Sequence, residues 1–477
     1  MLFNSYIFIL FFLPVVLTAY FMLNRFGRFL AAKGVLIIAS LFFYGYSEPS
    51  YVPIILLSIG ANYLICMLIR KLQDRAKALV VLGIVLNLGL LGYFKYFDFL
   101  LENINNLTKS SFDYLQLALP LGISFFTFQQ ISYLIDTAKG ECKHEGFLDY
   151  VLFVTFFPQL VAGPIVSHDE ILPQFASEEN KKLDYSNLAI GIRAFSIGLF
   201  KKVIIADNFG KIVSFGYGNI PTLNSLEAVL TILAYTIQIY FDFSGYCDMA
   251  TGIGLMFNIK LPANFNSPYK ATTIVEFWKR WHITLTRFLT KYVYIPLGGN
   301  RKGKVRTYIN ILIVFFASGL WHGAGYTFIL WGVMHGIANI LCRAFNKVIA
   351  KIPHWINWII TFVFINLTWV VFRAESVDQA WKLICRITAG GFGIHAELAE
   401  TMLQPTLINI PAQIIPLLWV VLGYTVLVLA VALFAKNTNK IIENQKQTGW
   451  TLASTYVLFL LSVLSLSGVS TFLYFNF

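Results

Sequence analysis

Continuous apolar runs of about 18 or more residues recur along almost the whole chain, and each is long enough to cross a bilayer as a helix. A backbone in lipid has to satisfy its own hydrogen bonds, which restricts spanning structures to helices and closed barrels. The runs do not alternate as barrel strands do. The pattern therefore predicts an all-α, polytopic transmembrane bundle of about eleven spans, with residues 1–477 as a single membrane domain.

The charges between the first runs indicate their orientation. Arg25, Arg28 and Lys33 follow the first span (6–23), and the basic run RKLQDRAK (70–77) follows the third span (52–69). Cytoplasmic loops carry an excess of Lys and Arg, which places both loops in the cytoplasm. The fourth span (78–94) is expected to end near the polar stretch LENINNLTKSSFDY (101–114), which is expected on the outer side.

Three later segments differ from uninterrupted apolar spans because they contain polar, helix-breaking or charged residues. The span after Pro120 contains Gln129 and Gln130, which either bond between helices or line a cavity. Pro158 and Gly163–Pro164 should break residues 149–175, and broken helices at membrane depth are tolerated inside protein or around a cavity. The stretch 188–214 carries Arg193, Lys201 and Lys202 and is expected to be tilted or interfacial.

Composition supports a membrane protein. The chain is 57% hydrophobic and 13% charged with a mean hydropathy of +0.68, whereas a soluble domain carries about 25% charged residues. The net charge of +12 is spread over loops and indicates topology rather than nucleic-acid binding. The five cysteines form no CxxC pair and predict neither a disulfide framework nor a zinc site.

Ionisable residues concentrate in residues 240–336, which we take as the catalytic block because charges in a bilayer are costly. Asp242 and Asp248 are six residues apart, about 120° around a helix, so each is expected to pair with a cation rather than with the other. The run 260–306 has about ten Lys and Arg against one acid, Glu276. It is interpreted either as a topology signal or as a docking surface for a phosphate-rich donor.

Residues 272–291 predict an amphipathic interfacial helix. Trp278, Trp281, Leu285 and Phe288 fall on one stripe and are expected at headgroup depth, and Glu276, Arg280, Thr284, Arg287 and Lys291 fall on the other. His282 points with the aromatic stripe, where it is either a structural core residue or a functional one.

Two further histidines lie in an apolar helix that covers 318–336. Burial favours a neutral imidazole at His322, so this residue is either a general base for acyl transfer or a core histidine. His335 would lie about 20 Å along an unbroken helix and on another face, so the two cannot share a metal. We predict no metal site.

Seven motifs together resemble the membrane-bound O-acyltransferase family, in particular its bacterial branch that acetylates polysaccharides. They are FFPQLVAGPI (156–165), YFDFSGYCDMA (240–250), FNSPY (265–269), EFWKRWHITL (276–285), YIPLGG (294–299), GLWHG (319–323) and NLTWVVFRA (366–374). The resemblance implies a bundle around a central tunnel that is reached from both membrane faces. It assigns His322 as the catalytic histidine and His282 as a second functional histidine.

The resemblance also implies the reaction. A cytoplasmic donor, acetyl-CoA, would give its acyl group to hydroxyls of an extracytoplasmic polysaccharide, with no tightly bound cofactor. Tyr474, near the C-terminus, would relay the acyl group or else anchor the last span in the aromatic belt. An SGNH-like extracytoplasmic acetyltransferase and membrane lipid are the expected partners, in the bacterial cytoplasmic membrane. Residues expected to bind substrate are Trp321, Trp278, Trp281, Arg280, Asp242, Asn266 and Gln238.

Alternatives remain open at this stage. Within the family, the cargo could be D-alanyl, or the acceptor a lipid or a protein. A transporter of an acylated intermediate also fits broken helices and intramembrane polar groups, although the sequence shows no inverted repeat. A structural scaffold in a polymer-secretion complex is the third alternative.

Overall fold

The computed structural model describes residues 1–142, 145–395, 398, 417–443, 448–466 and 472–473, and every regular element among them is a helix. Seven of the described helices are long and apolar enough to cross a membrane, and three shorter apolar ones cover Phe29–Gly45, Leu418–Phe434 and Gly449–Leu464. The all-α polytopic prediction is therefore confirmed, and the count of about eleven spans stays a prediction.

The helices of the first half are α1 (Leu13–Arg25), α2 (Phe29–Gly45), α3 (Tyr51–Lys71), α4 (Ala76–Leu91), α5 (Phe97–Thr108), α6 (Ile123–Ala138), α7 (Phe147–Thr155), α8 (Phe157–Leu160), α9 (His168–Ala176), α10 (Tyr185–Phe200) and α11 (Asp207–Gly218). Those of the second half are α12 (Ser225–Met256), α13 (Ile274–Trp278), α14 (Ile283–Leu289), α15 (Lys304–His322), α16 (Tyr326–Ala344), α17 (Asn346–Ile349), α18 (His354–Arg373), α19 (Val377–Arg386), α20 (Leu417–Phe434), α21 (Thr438–Glu443) and α22 (Gly449–Leu464). Turns of π-helix cover Phe8–Phe12, Gly92–Tyr96, Lys201–Ala206 and Thr290–Tyr294.

The chain divides into two compact units. The N-terminal unit comprises Met1–Phe195 and Met249–Pro262, and the C-terminal unit comprises Ser196–Asp248 and Ala263–Phe477. In the N-terminal unit α3, α4 and α6 pack against one another. Gln130 donates to the Ser58 hydroxyl over 2.9 Å and accepts from the Tyr150 hydroxyl. Its polar side chain therefore bonds between helices, one of the two interpretations of this span.

Two expectations for the N-terminal unit have different outcomes. The predicted break in 149–175 is confirmed, because α7 ends at Thr155, α8 ends at Leu160 and α9 begins only at His168. The fourth span, expected to end at residue 94, is longer than expected, since a helix runs from Gln73 to Thr108, and the outer position of 101–114 stays a prediction. Leu101, Ile104 and Leu107 recur at helical spacing, a pattern that favours an amphipathic helix over a loop.

In the C-terminal unit, the single helix predicted for 272–291 is wrong. Residues 279–282 separate α13 from α14, and His282 adopts a left-handed backbone with φ of 44°. The N–H of Ile283 donates to the carbonyl of Asn264 and the N–H of Asn266 donates to the carbonyl of Arg280. These bonds to the extended 264–266 segment replace helical ones, so a tertiary contact overrides the helical pattern.

The helix predicted across 318–336 is also interrupted. α15 ends at His322, Gly323 and Gly325 are extended, and α16 packs back against α15 as a hairpin. A Cβ at Gly319 would lie 2.4 Å from the carbonyl oxygen of Phe328, and one at Gly332 would lie 2.4 Å from that of Phe315. Glycine at both positions lets the two backbones approach this closely, which fixes where His322 sits at the end of α15.

Candidate active site

His322 lines a small internal cavity of the C-terminal unit. The lining residues are Ile239, Asp242, Phe243, Trp281, His322, Trp369, Phe372 and Leu473. The cavity measures about 10 Å³, close to the space that one water molecule needs. His322 is 5% exposed, so its imidazole is buried yet reaches a void. A cavity of this volume is not the tunnel that the family resemblance implies, and that tunnel stays a prediction.

Aromatic rings surround the His322 imidazole. The ring of Trp321 lies 5.0 Å away between centroids, that of Trp331 5.1 Å and that of Phe372 5.2 Å. His282 lies 6.3 Å away. Such walls exclude water, and electrostatic interactions in a dry site are stronger than in solution. The two histidines assigned by resemblance are therefore neighbours, and His322 is the one of the two that lines the cavity.

His282 is held by the segment that breaks the predicted helix. Its Nδ1 lies 3.2 Å from Oδ1 of Asn264, an oxygen that also accepts from the backbone N–H and the hydroxyl of Thr284. The other end of the amide, Nδ2, donates to Cys247 Sγ. These contacts orient Asn264 with its oxygen toward the imidazole, and an oxygen can only accept. The network thus assigns the proton of neutral His282 to Nδ1 and a lone pair to Nε2.

Burial fixes the charge of His282 as well. The side chain is fully buried, and desolvation lowers the pKa of His282 to about 3. The residue is therefore neutral at physiological pH, and its Nε2 accepts hydrogen bonds rather than donating them. Its left-handed backbone is uncommon outside glycine and carries strain of the kind found at functional sites.

The tryptophans of the aromatic stripe are buried in protein rather than placed at headgroup depth. Trp278 is 5% exposed and Trp281 is 2% exposed. Trp281 lines the cavity, and its ring lies 5.0 Å from that of Trp369. Thr284, which the pattern predicts on the polar stripe, is also buried, and its hydroxyl donates to Asn264. The stripe identified which aromatic residues share a face, but the tertiary fold covers that face with other rings.

Asp242 enters the cavity with its charge compensated. Its Oδ1 accepts from Nζ of Lys202 over 2.7 Å, and its Oδ2 accepts from the backbone N–H of Leu473 over 2.9 Å. Asp248 pairs with Lys201 over 2.6 Å. The prediction that each acid pairs with a cation is therefore confirmed. Tyr474 lies outside the described residues, and Leu473 immediately before it lines the cavity.

His335 has a structural environment. The indole N–H of Trp278 donates to its Nδ1 over 3.2 Å, and its Nε2 lies 3.1 Å from the Thr368 hydroxyl. That hydroxyl donates to the carbonyl of Ile365, which leaves the Nε2–H of His335 as donor to Thr368. The expected 20 Å separation from His322 is wrong, because the hairpin places Trp331 in contact with both imidazoles.

Of the residues expected to bind substrate, Trp281 and Asp242 line the cavity, and Trp321, Trp278, Arg280, Asn266 and Gln238 are not among its lining residues. Arg280 pairs with Glu276 over 2.8 Å and donates to the carbonyl of Asn266. The amide oxygen of Asn266 accepts from Asn437. Gln238 packs against Gly210, where a Cβ would lie 2.7 Å from the amide nitrogen. Their substrate-binding roles stay predictions.

Sequence reasoning missed two residues that position the site. Asn264 stands one residue before the FNSPY motif, and its polarity does not single it out because Asn258, Lys260 and Asn266 lie close by in the sequence. Lys202 was expected in a tilted or interfacial segment, whereas it is 2% exposed and bonded to Asp242 and Asp207. Asp242 stands out in the sequence as an acid within a span, whereas the burial of its cation, Lys202, depends on packing that no local pattern encodes.

Comparison with known proteins is consistent with this geometry. Residues 138–375 match the model of the membrane-bound O-acyltransferase family. The chain is 44% identical to the peptidoglycan O-acetyltransferase of Helicobacter pylori, over 100% of this chain and 98% of the relative. It is 39% identical to the probable alginate O-acetylase AlgI of Pseudomonas aeruginosa (80% of this chain, 74% of the relative) and 29% identical to the teichoic acid D-alanyltransferase of Bacillus subtilis (54% and 69%). The chain belongs to the membrane-bound O-acyltransferase family and is a multi-pass membrane acyltransferase.

Proposed function

We propose that this enzyme transfers an acetyl group from a cytoplasmic thioester, acetyl-CoA, to hydroxyls of an extracytoplasmic polysaccharide at the bacterial cytoplasmic membrane. The observation that carries the proposal is the pair of buried, neighbouring imidazoles, His322 and His282, which are packed among aromatic rings. Two relatives are named peptidoglycan O-acetyltransferase and probable alginate O-acetylase, and these names support a polysaccharide as the acceptor.

In the proposed reaction His322 acts as general base. It takes the proton of an acceptor hydroxyl while the hydroxyl oxygen attacks the thioester carbonyl carbon. The carbon–sulfur bond then breaks, and the proton passes from His322 to the departing thiolate. The indole N–H of Trp321, next to both imidazoles, is the donor for the oxyanion, since Nε2 of His282 carries a lone pair. A preorganised donor of this kind contributes about 10²–10³-fold in rate.

The immediate acceptor in this proposal is either Tyr474 or the final acceptor. A phenol has a pKa near 10, below that of a sugar hydroxyl, and is easier for a neutral imidazole to activate. The bond from the Leu473 N–H to Asp242 supports a C-terminal nucleophile, because it ties the preceding residue to the cavity. An SGNH-like extracytoplasmic protein would then receive the acyl group.

The decisive experiment measures thioester consumption by the purified protein in lipid, with labelled acetyl-CoA and an acceptor polysaccharide. His322→Ala should lower turnover by at least about 10²-fold, because it removes the base. The exposed His354 provides a matched control, so His354→Ala should leave turnover unchanged. Near-normal turnover in His322→Ala would refute the base assignment. An intact thioester in the wild-type assay would instead favour a transporter or a scaffold.

D-Alanyl transfer is the second candidate, because the chain is also 29% identical to a teichoic acid D-alanyltransferase. The same assay with a D-alanyl thioester on its carrier protein separates the two. Faster consumption of the acetyl donor supports acetyl transfer. Faster consumption of the D-alanyl donor would make D-alanyl transfer the proposed function instead.

A further inference from the structure

The N-terminal unit contains a second, much larger cavity of about 770 Å³. This is within the range of about 300–1,000 Å³ that small-molecule sites occupy. Its lining combines apolar walls with the charged side chains of Lys33, Glu145, Asp149 and Lys181. Nothing in the acyl-transfer chemistry uses these residues.

The cavity lies where a span ends. Tyr20 and Asn24 line it from the last turns of α1, and Phe29 and Leu30 line it from the first turn of α2. Leu30 and the nearby Phe26 are each 69% exposed, as expected of side chains that face lipid. The end of a spanning helix lies at headgroup depth, and aromatic residues are enriched there. The cavity is thus placed beside the headgroup layer.

The charges of the lining compensate one another. Lys33 forms an ion pair with Asp149, and Lys181 bonds Glu178 while its ammonium lies 4.1 Å from the centre of the Phe29 ring. Glu145 is engaged by the Tyr133 hydroxyl at 2.8 Å and by Arg70 at 3.6 Å. Two lysines and two carboxylates leave the lining without net charge. Such a lining matches a ligand that itself carries both signs of charge.

One buried donor points to an oxygen ligand. Asn24 is 7% exposed, and its amide nitrogen lies within reach of the Tyr20 hydroxyl, which lines the same cavity. The amide nitrogen carries two N–H groups, so a bond to Tyr20 leaves the second N–H for another acceptor, and a buried N–H without an acceptor costs about 1–3 kcal/mol. Because Asn24 lines the cavity, an acceptor atom of a bound molecule would satisfy it.

We propose that this cavity binds the headgroup of a phospholipid that carries a phosphate and a primary ammonium, as phosphatidylethanolamine does. The phosphate oxygens accept from Asn24 Nδ2 and from the ammonium groups of Lys33 and Lys181. The lipid ammonium donates to Asp149, and the acyl chains follow Phe29 and Leu30 into the bilayer. A lipid with net negative charge would leave Asp149 facing an anion, so the cavity discriminates against it.

The test is native mass spectrometry of the full-length protein after exchange into mixtures of phosphatidylethanolamine, phosphatidylcholine and phosphatidylglycerol. We expect retention of one phosphatidylethanolamine above the other two, since the trimethylammonium of choline cannot donate a hydrogen bond. Soluble glycerophosphoethanolamine should not displace the retained lipid. Equal retention of the three lipids, or displacement by the soluble headgroup, would overturn the proposal.

Two variants test the residues. Asn24→Leu should lower retention of phosphatidylethanolamine by about tenfold, the loss of one bond to a charged group. Asp149→Asn should lower it while raising retention of phosphatidylglycerol, because Lys33 then lacks an anionic partner. The neighbouring exposed Lys182 is the control, and Lys182→Met should change neither. Thermal unfolding of each variant shows whether it is folded. A folded Asp149→Asn variant with unchanged lipid preference would refute the charge matching.

Discussion

Lys202 and Asp242 form a buried ion pair, with Nζ 2.7 Å from Oδ1 and both side chains no more than 3% exposed. The same Nζ lies 2.7 Å from Oδ1 of Asp207, so one cation compensates two carboxylates. The other oxygen of Asp242 accepts from Leu473, which lines the cavity with His322. The ion pair therefore holds Asp242 in the position from which its second oxygen binds Leu473, near the C-terminus.

Lys202→Met and Asp242→Asn should have different effects on stability. Lys202→Met leaves buried Asp242 and half-buried Asp207 without this cation and should destabilise by about 3–5 kcal/mol, as broken buried pairs do. Asp242→Asn keeps the Lys202–Asp207 pair and an acceptor for Leu473, so its loss should be smaller. Thermal unfolding in detergent measures both. Equal destabilisation by the two changes would contradict this account of the cluster.

Replacing Asn264 should change the tautomer of His282 while the histidine itself stays in place. Asn264→Leu removes the oxygen that fixes the proton on Nδ1, and we expect kcat to fall by at least about tenfold while KM changes little, because a wrong tautomer disables an imidazole. Thr284→Val removes another bond to the same oxygen and is the control. If both variants lose the same activity, Asn264 acts through packing and not through the tautomer of His282.

His335 should affect stability rather than catalysis. His335→Leu leaves the buried indole N–H of Trp278 without its acceptor and should cost about 1–3 kcal/mol. Activity per folded molecule should stay near that of the wild type, in contrast to His322→Ala. His335→Gln keeps an acceptor and a donor and should recover part of the stability. A normally stable but inactive His335→Leu would show that this histidine takes part in the chemistry.

The contact between α15 and α16 should not tolerate a methyl group. In Gly332→Ala the new Cβ would lie 2.4 Å from the carbonyl oxygen of Phe315 and force the hairpin apart. We expect a loss of about 1–3 kcal/mol, typical of overpacking, and lower acyl transfer because His322 ends α15. Gly89→Ala in α4 meets open space and is the control. Unchanged unfolding of Gly332→Ala would contradict the close approach.

His282 should make the protein less stable in mild acid. Its pKa is about 3 in the fold because burial disfavours the cation, whereas an unfolded histidine titrates near 6.5. Between these values the unfolded chain binds the extra proton, so stability falls as pH falls from about 6.5 toward 3. The drop in Tm from pH 7 to pH 5 should be smaller in His282→Gln than in the wild type. An equal drop would mean that His282 is not buried as a neutral imidazole.

The amino-acid pattern determined the fold class and predicted which residues carry the chemistry. Runs of apolar residues specify helices in lipid because no other local structure satisfies the backbone there. Ionisable residues are rare in spans because burying them is costly, so Asp242 and His322 stand out as functional candidates. The pairing of acids with cations followed from the same energetic argument.

Tertiary structure decided how these residues meet. The breaks at His282 and after His322 arise from contacts with Asn264 and from glycines that admit a neighbouring backbone, and a helical period contains no information about either. The same packing buries Trp278 and Trp281, which amphipathicity alone would leave at an interface. Periodicity reports which side chains share a face of one helix, whereas long-range packing determines what covers that face and where the helix stops.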